Sequence, residues 1–110
     1  MENLIAEYGD DFNWYLIPFT NNTFLNELKR ELQSDDSFLL GEICAVAKCE
    51  SNDDVLFVSK INNEEIWRIY HLTYSNNNIK GYPKYVEFLN EKNALEYIQN
   101  QFKSEYKYCE

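Results

Sequence analysis

An α+β fold with an antiparallel β-meander is what this 110-residue sequence predicts, and three observations carry the prediction. Residues 53–75, DDVLFVSKINNEEIWRIYHLTYS, run through strand, turn and strand signals without a break. Val55 to Lys60 and Glu65 to Thr73 are rich in Val, Ile, Phe, Trp and Tyr, and polar residues around Asn62-Asn63 separate them. A third apolar stretch, Glu42 to Cys49, precedes this hairpin, and two segments with helical spacing of apolar residues flank the whole. The expected architecture is one domain over residues 1–110. It has a sheet of three to five strands, with two main helices packed mainly on one face.

With Asn62 and Asn63 as the loop, Lys60 faces Glu65, Val58 faces Trp67, Leu56 faces Ile69 and Asp54 faces His71. That side reads as the core face. Val55, Phe57 and Ser59 then oppose Ile66, Arg68 and Tyr70, a mixed face that is either partly covered or meets a partner.

The remaining elements follow in order. Leu4, Ile5 and Tyr8 suit a short amphipathic turn over residues 2–8, ended by Gly9 and Asp10-Asp11. Phe12 to Phe19 has strand composition, and Pro18, which cannot donate to a ladder, marks it as an edge or lead-in. Asn21, Asn22 and Thr23 supply caps for a helix through Gln33. Phe24, Leu25, Leu28 and Leu32 form its stripe, and Glu27, Lys29, Arg30 and Glu31 lie mostly outside. Ser34-Asp35-Asp36-Ser37 is a polar loop. Glu42 to Cys49 is apolar on both parities, which suits a central strand, and its small side chains let the preceding helix lie close. Glu50 to Asp54 turns the chain into the hairpin, and 76–81 is a surface loop. Lys84 to Leu89 pairs at a sheet edge behind Pro83. A last helix is capped by Asn90, carries Ala94, Leu95, Ile98 and Phe102 on one stripe, and gives way to a polar tail from Lys103.

Hydrophobic content of 45 % separates the chain from disordered sequences, and it is long enough to bury a core without disulfides or metal. No apolar run reaches the roughly 20 residues that cross a bilayer, and the first residues carry no basic leader or signal core, so a cytoplasmic protein is expected. Cys44, Cys49 and Cys109 are odd in number and lack C-x-x-C spacing. Cys44 and Cys49 lie five positions apart in a strand, which places them on opposite faces, and Cys44 reads as a small buried hydrophobe. No cofactor or metal is implied.

The net charge of −9 is unevenly placed: residues 1–54 hold twelve Asp or Glu against three Lys or Arg, and residues 55–110 hold seven of each. Such a field opposes nucleic acid and anionic membranes and favours a basic protein partner. The candidate binding residues are Asp10, Asp11, Asp35, Asp36, Glu50, Asp53 and Asp54, with Tyr74 as an aromatic beside them. The bland reading of these carboxylates is a solvated loop surface. His71 facing Asp54 is the one pair with a catalytic look, since a carboxylate fixes the ring tautomer. No nucleophile elbow, phosphate cradle or H-E-x-x-H motif accompanies it, and catalytic residues are therefore assigned to none.

Trp14 with Ile17-Pro18, the helix around Glu27-Leu28 and Glu31-Leu32, Asp53-Asp54-Val55-Leu56-Phe57, Trp67, His71-Leu72-Thr73 with Tyr74-Ser75, Pro83 and Phe88 form an ordered set. It resembles a group of small bacterial proteins that carry D-D-V-L-F followed by a strand ending H-L-T-W; Tyr74 stands where Trp is usual. In size, acidity and element order that group is similar to the immunity proteins of bacterial polymorphic toxin systems. The resemblance implies a non-enzymatic domain that neutralises a basic, nuclease-like toxin by covering its active site. The alternatives are a small hydrolase or ligand-binding protein centred on His71 with Tyr70, Tyr74, Tyr82 and Tyr85, and a structural subunit with an exposed aromatic face.

Overall fold

The computed structural model describes residues 1–75 and 81–108, with the backbone alone over 105–108. The elements are α1 (Glu2–Tyr8), β1 (Trp14–Leu16), α2 (Thr23–Glu31), β2 (Glu42–Cys49), β3 (Asp54–Ile61), β4 (Glu64–His71), β5 (Lys84–Phe88) and α3 (Glu91–Tyr108). Short 3-10 turns lie at Gly9–Asp11 and Ser37–Leu40. The strands form one antiparallel sheet in the order β1-β2-β3-β4-β5. The class is α+β, as the sequence predicts.

The β3–β4 hairpin fixes the register. Asn62 and Asn63 have φ of 51° and 66°, the left-handed pair that a two-residue loop needs to match the twist of its strands. Lys60 pairs with Glu65, Val58 with Trp67, Leu56 with Ile69 and Asp54 with His71, all as expected. A slip of one residue would exchange the two faces of both strands.

Those faces are both covered. On one, Leu56, Trp67 and Ile69 pack with Leu4 of α1, Phe12, Trp14 and the α3 residues Ala94, Ile98 and Phe102. On the other, Val55, Phe57, Tyr70 and Leu72 pack with Leu28 of α2, Leu32 and Phe38 of the second 3-10 turn. The expectation that the two main helices share one face is therefore corrected: α2 and α3 lie on opposite faces. The reason lies in β3, where Val55, Leu56 and Phe57 are apolar in succession and all fully buried, which requires a layer on each side.

The mixed face is thus a covered one, and Arg68 fits there by stacking. Its guanidinium lies 4.8 Å from the Phe38 ring centre and 4.2 Å from that of Tyr85. It donates to the Tyr70 hydroxyl at 2.6 Å and to Glu87 at 2.8 Å. Burial, against the opposing effect of Arg68, pushes the Tyr70 hydroxyl up to about 12, so it stays a neutral partner. Ser59, also fully buried, donates to the Phe38 carbonyl at 2.8 Å.

Two expectations for β2 are corrected by a bulge. The pairing passes from Ala45 opposite Phe57 to Ala47 opposite Leu56, leaving Val46 as the extra residue. The bulge reverses the alternation, so Cys44, opposite Val58, and Cys49, packed with Trp14 and Leu56, share the α3 face. Cys44 lies near the open end of that face and is exposed, whereas Cys49 is buried. Just before β2, a Cβ on Gly41 would collide with the Ser59 side chain and come within 2.7 Å of the Lys60 carbonyl, so only glycine fits against β3 there.

At the N-terminus of α2, the Asn21 side chain accepts from Thr23 N–H at 2.9 Å, while Asn22, the cap position, makes no side-chain capping bond. The helix ends at Glu31, two residues before the expected Gln33. In α3, Asn90 caps by accepting from Asn93 N–H at 2.9 Å. The helix continues to Tyr108 rather than stopping near Phe102, because Lys and Glu beyond that point are good helix formers and no breaker intervenes. Apart from Gly81, the loop expected over 76–81 lies outside the described residues, as does Cys109.

Trp67 sits in the middle of the α3-side core, 5 % exposed. Trp67→Ala is expected to cost about 3–5 kcal/mol through transfer and cavity terms, measured as a shift of the urea denaturation midpoint at unchanged slope.

Candidate functional site

The acidic residues gather mainly at one end of the sheet, where β2 ends, β3 begins and β4 ends. Glu50 N–H donates to the Asn13 carbonyl at 2.7 Å, and Leu72 N–H to the Asp53 carbonyl at 3.1 Å. These bonds bring the 50–53 connection against the entry to β1 and the exit from β4. Asp11 is two residues before Asn13, so its backbone lies within about 7 Å of it. Asp10, Asp11, Glu50 and Asp53 are exposed there, and Asp54 is partly buried. Lys48 donates through Nζ to the Cys49 and Asn52 carbonyls and so braces the β2–β3 connection from within.

Asp54 Oδ1 lies 2.9 Å from His71 Nδ1, so the cross-strand pair forms as the register requires. His71 is exposed.

Tyr74 belongs to the same end and is held there by a group that sequence reading placed in solvent. Glu31 is 4 % exposed. Its Oε1 accepts from Thr73 N–H at 2.8 Å and the Thr73 hydroxyl at 2.7 Å, and its Oε2 accepts from Tyr74 N–H at 2.9 Å. The carboxylate of α2 thereby clamps the exit of β4. Tyr74 adopts φ 56°, a conformation that costs a residue with a side chain on the order of 1–3 kcal/mol and persists where the surroundings impose it. The residue remains 45 % exposed. Burial first, then the charges of Asp53, Glu27 and Glu31, raise the Tyr74 hydroxyl above its ordinary value, as expected for a phenol set among carboxylates.

Burial works to raise Glu31 as well, but a hydrogen bond from Glu27 and those from Thr73 and Tyr74 outweigh it and hold the carboxyl below its ordinary value. Burial, with Glu31 adjacent, lifts Glu27 in the opposite direction in spite of its ion pair with Arg30.

Two of the expected binding residues stand apart. Asp36 is level with Arg68, three residues or about 10 Å along β4 from His71. It turns inward, its Oδ1 accepting from Phe38 N–H at 2.9 Å and lying 3.5 Å from the Arg68 guanidinium. It is a cap and counter-ion rather than a free surface charge. Asp35, its neighbour, is exposed on that same connection between α2 and β2.

Of the tyrosines named with His71, Tyr70 and its cross-strand partner Tyr85 lie on the opposite face of the sheet. Tyr70, next in the strand, points to the other face and is fully buried, while Tyr85 stacks near it at 5.1 Å between ring centres. Lys84 Nζ lies 4.8 Å from the Tyr82 ring centre. Among the described residues, no three His, Cys, Asp or Glu side chains converge as a metal site, and no helix is long and apolar enough to cross a membrane.

No family model, curated protein or solved structure matches the chain.

Two outcomes follow from this geometry. Glu31→Gln is expected to lower stability by about 1.5–3 kcal/mol near neutral pH, since one amide oxygen replaces two charged acceptors. A carboxyl held below its unfolded value of about 4.3 stabilises the fold above that pH, and the contribution is lost as pH falls through the lower folded value. Urea midpoints of wild type and variant should therefore converge as the pH is taken below the ordinary carboxylate range. His71→Asn is expected to change stability by no more than about 1 kcal/mol, because the exposed pair with Asp54 is a surface ion pair at most; the same urea titration measures it.

Proposed function

We propose that the chain is a non-enzymatic protein-binding domain that covers the cationic cleft of a basic partner with the acidic end of its sheet, as an immunity protein covers a nuclease-like toxin. The observation that carries this reading is that Asp10, Asp11, Glu50, Asp53 and Asp54 lie toward the same sheet end as an exposed, conformationally fixed Tyr74, with Asp53 near enough to act on its hydroxyl. A nuclease cleft that grips phosphates presents Lys and Arg. Carboxylates on a rigid sheet end mimic that ligand, and complementary fields speed association. Charge at a rim gives rate and specificity more than affinity, so a tight complex also needs an anchor that buries area at low entropic cost. Tyr74 has that character, because the Glu31 clamp orders its backbone before any partner arrives.

Two features weigh against the small-hydrolase or ligand-pocket alternative. His71 and Tyr70 lie on opposite faces, and the exposed His71–Asp54 pair has no nucleophile placed at hydrogen-bond distance from its ring among the described contacts.

The test is surface plasmon resonance against a panel of cationic bacterial nuclease domains, with nuclease inhibition measured at equal stoichiometry. For a cognate domain, the on-rate should fall by about tenfold or more between low and physiological salt. Asp10→Asn/Asp11→Asn and Glu50→Gln/Asp53→Asn should lower it further, and Tyr74→Ala should raise the off-rate by about tenfold or more. An on-rate indifferent to salt and to both charge pairs, or a panel that contains no inhibited nuclease, counts against the reading.

A further inference from the structure

The two edges of the sheet are unequal. β1 has three residues, and Pro18 follows almost at once, with no N–H to extend a ladder. β5 has five residues, and no strand pairs with its outer edge among the described residues. Tyr82, Tyr85, Val86 and Leu89 are all exposed along it, Leu89 to 85 %. Edges that stay single in water usually present a free charge to an incoming strand. Here both charges are solvent-accessible but each has a partner within the chain: Lys84 lies over the Tyr82 ring, and Glu87, its side chain 51 % exposed, accepts through Oε1 from Arg68 Nε at 2.8 Å. Residues 81–90 hold one Lys and one Glu, so this edge is neutral on a chain of net charge −9.

We infer that β5 pairs with β5 of a second copy of this chain, antiparallel, across a two-fold axis at Val86. In that register Val86 faces Val86 of the second copy, Tyr85 faces its Glu87, and Lys84 faces its Phe88. No like charges are opposed, and an aliphatic pair sits on the axis. The faces match too. Lys84, Val86 and Phe88 pair with His71, Ile69 and Trp67 and so share the α3 face, while Tyr85 and Glu87 share the α2 face. An axis perpendicular to the sheet therefore continues each layer into its like, giving an isologous interface. α3 packs against β4 and β5 on that side, so the axis brings α3 toward its mate and adds area beyond the strand toward the roughly 1,200–2,000 Å² of stable interfaces. With one Lys and one Glu, the edge offers a basic or acidic foreign partner no net charge to recognise. What the edge offers is backbone hydrogen bonding and apolar side chains in a self-complementary order, which another copy satisfies. This surface is centred on Val86, two residues along β5 from Lys84, which pairs with His71 at the acidic sheet end, and the inference does not depend on the proposed function.

The experiment is sedimentation velocity and equilibrium on the full chain across a concentration series at low and high salt. The expected result is a dimer that tightens as salt rises, because screening relieves repulsion between two acidic chains; binding of a basic partner moves the opposite way. Val86→Lys and Val86→Glu should each weaken the dimer at least tenfold. An equimolar mixture of the two should restore it as a heterodimer, since only this register sets residue 86 against itself. Amide exchange over residues 84–88 of the wild-type chain should slow as concentration rises, a readout that stands even if a variant fails to fold. A wild-type chain that stays monomeric up to concentrations on the order of 100 μM, a Val86→Lys chain that dimerises unchanged, or a mixture that fails to recover the dimer overturns the inference.

Discussion

Three successive residues of β3, Val55, Leu56 and Phe57, have no contact with solvent, and the rest of the fold follows from that constraint. Consecutive strand residues point to opposite faces, so burying all three requires apolar layers above and below. α3 with α1 supplies one layer, α2 with the Ser37–Leu40 turn the other. Neither layer can form unless β4 presents Trp67 and Ile69 to the first and Tyr70 to the second. The left-handed pair Asn62-Asn63 enforces that register.

The interior tolerates two ionised groups because each has several partners. Arg68 lies between aromatic rings with Glu87, Asp36 and the Tyr70 hydroxyl as acceptors. Stacking suits guanidinium better than ammonium, since it is planar and weakly hydrated. Glu31 joins the α2 layer to the exit of β4, which transmits the order of the core to the sheet end where Tyr74 is exposed. The two groups work differently: Arg68 fills a face that aliphatic packing leaves open, and Glu31 dictates a backbone conformation.

The hairpin, the edge position of β5 and the Asn90 cap were legible because each rests on local chemistry: turn residues, a proline at a strand start, and an asparagine before an apolar stripe. The two-sided cover of β3 was also signalled, by the unbroken run Val55 to Val58, but Ser59 and Arg68 made the second face read as mixed, either partly covered or open to a partner. Glu31 carried a signal as well, since it stands at i+7 from Phe24 and i+3 from Leu28, on the apolar stripe rather than beside it. The exposure of Cys44 and its shared face with Cys49 had none. The shared face depends on the Val46 bulge, and a bulge is set by how β2 meets its neighbours, with the Val46 carbonyl accepting from Ile17 N–H at 2.9 Å. Asp36 likewise reads as a loop charge until Arg68 is known to lie beneath it.

The brevity of β1 has a consequence for assembly. A sheet with two open edges polymerises, because each added copy presents a fresh template, whereas a sheet with one blocked margin terminates once its open margin is used. Pro18 and the three-residue β1 make the far margin of this sheet a dead end. Any edge-to-edge growth through β5 therefore stops at a finite, closed particle rather than running on into a fibre.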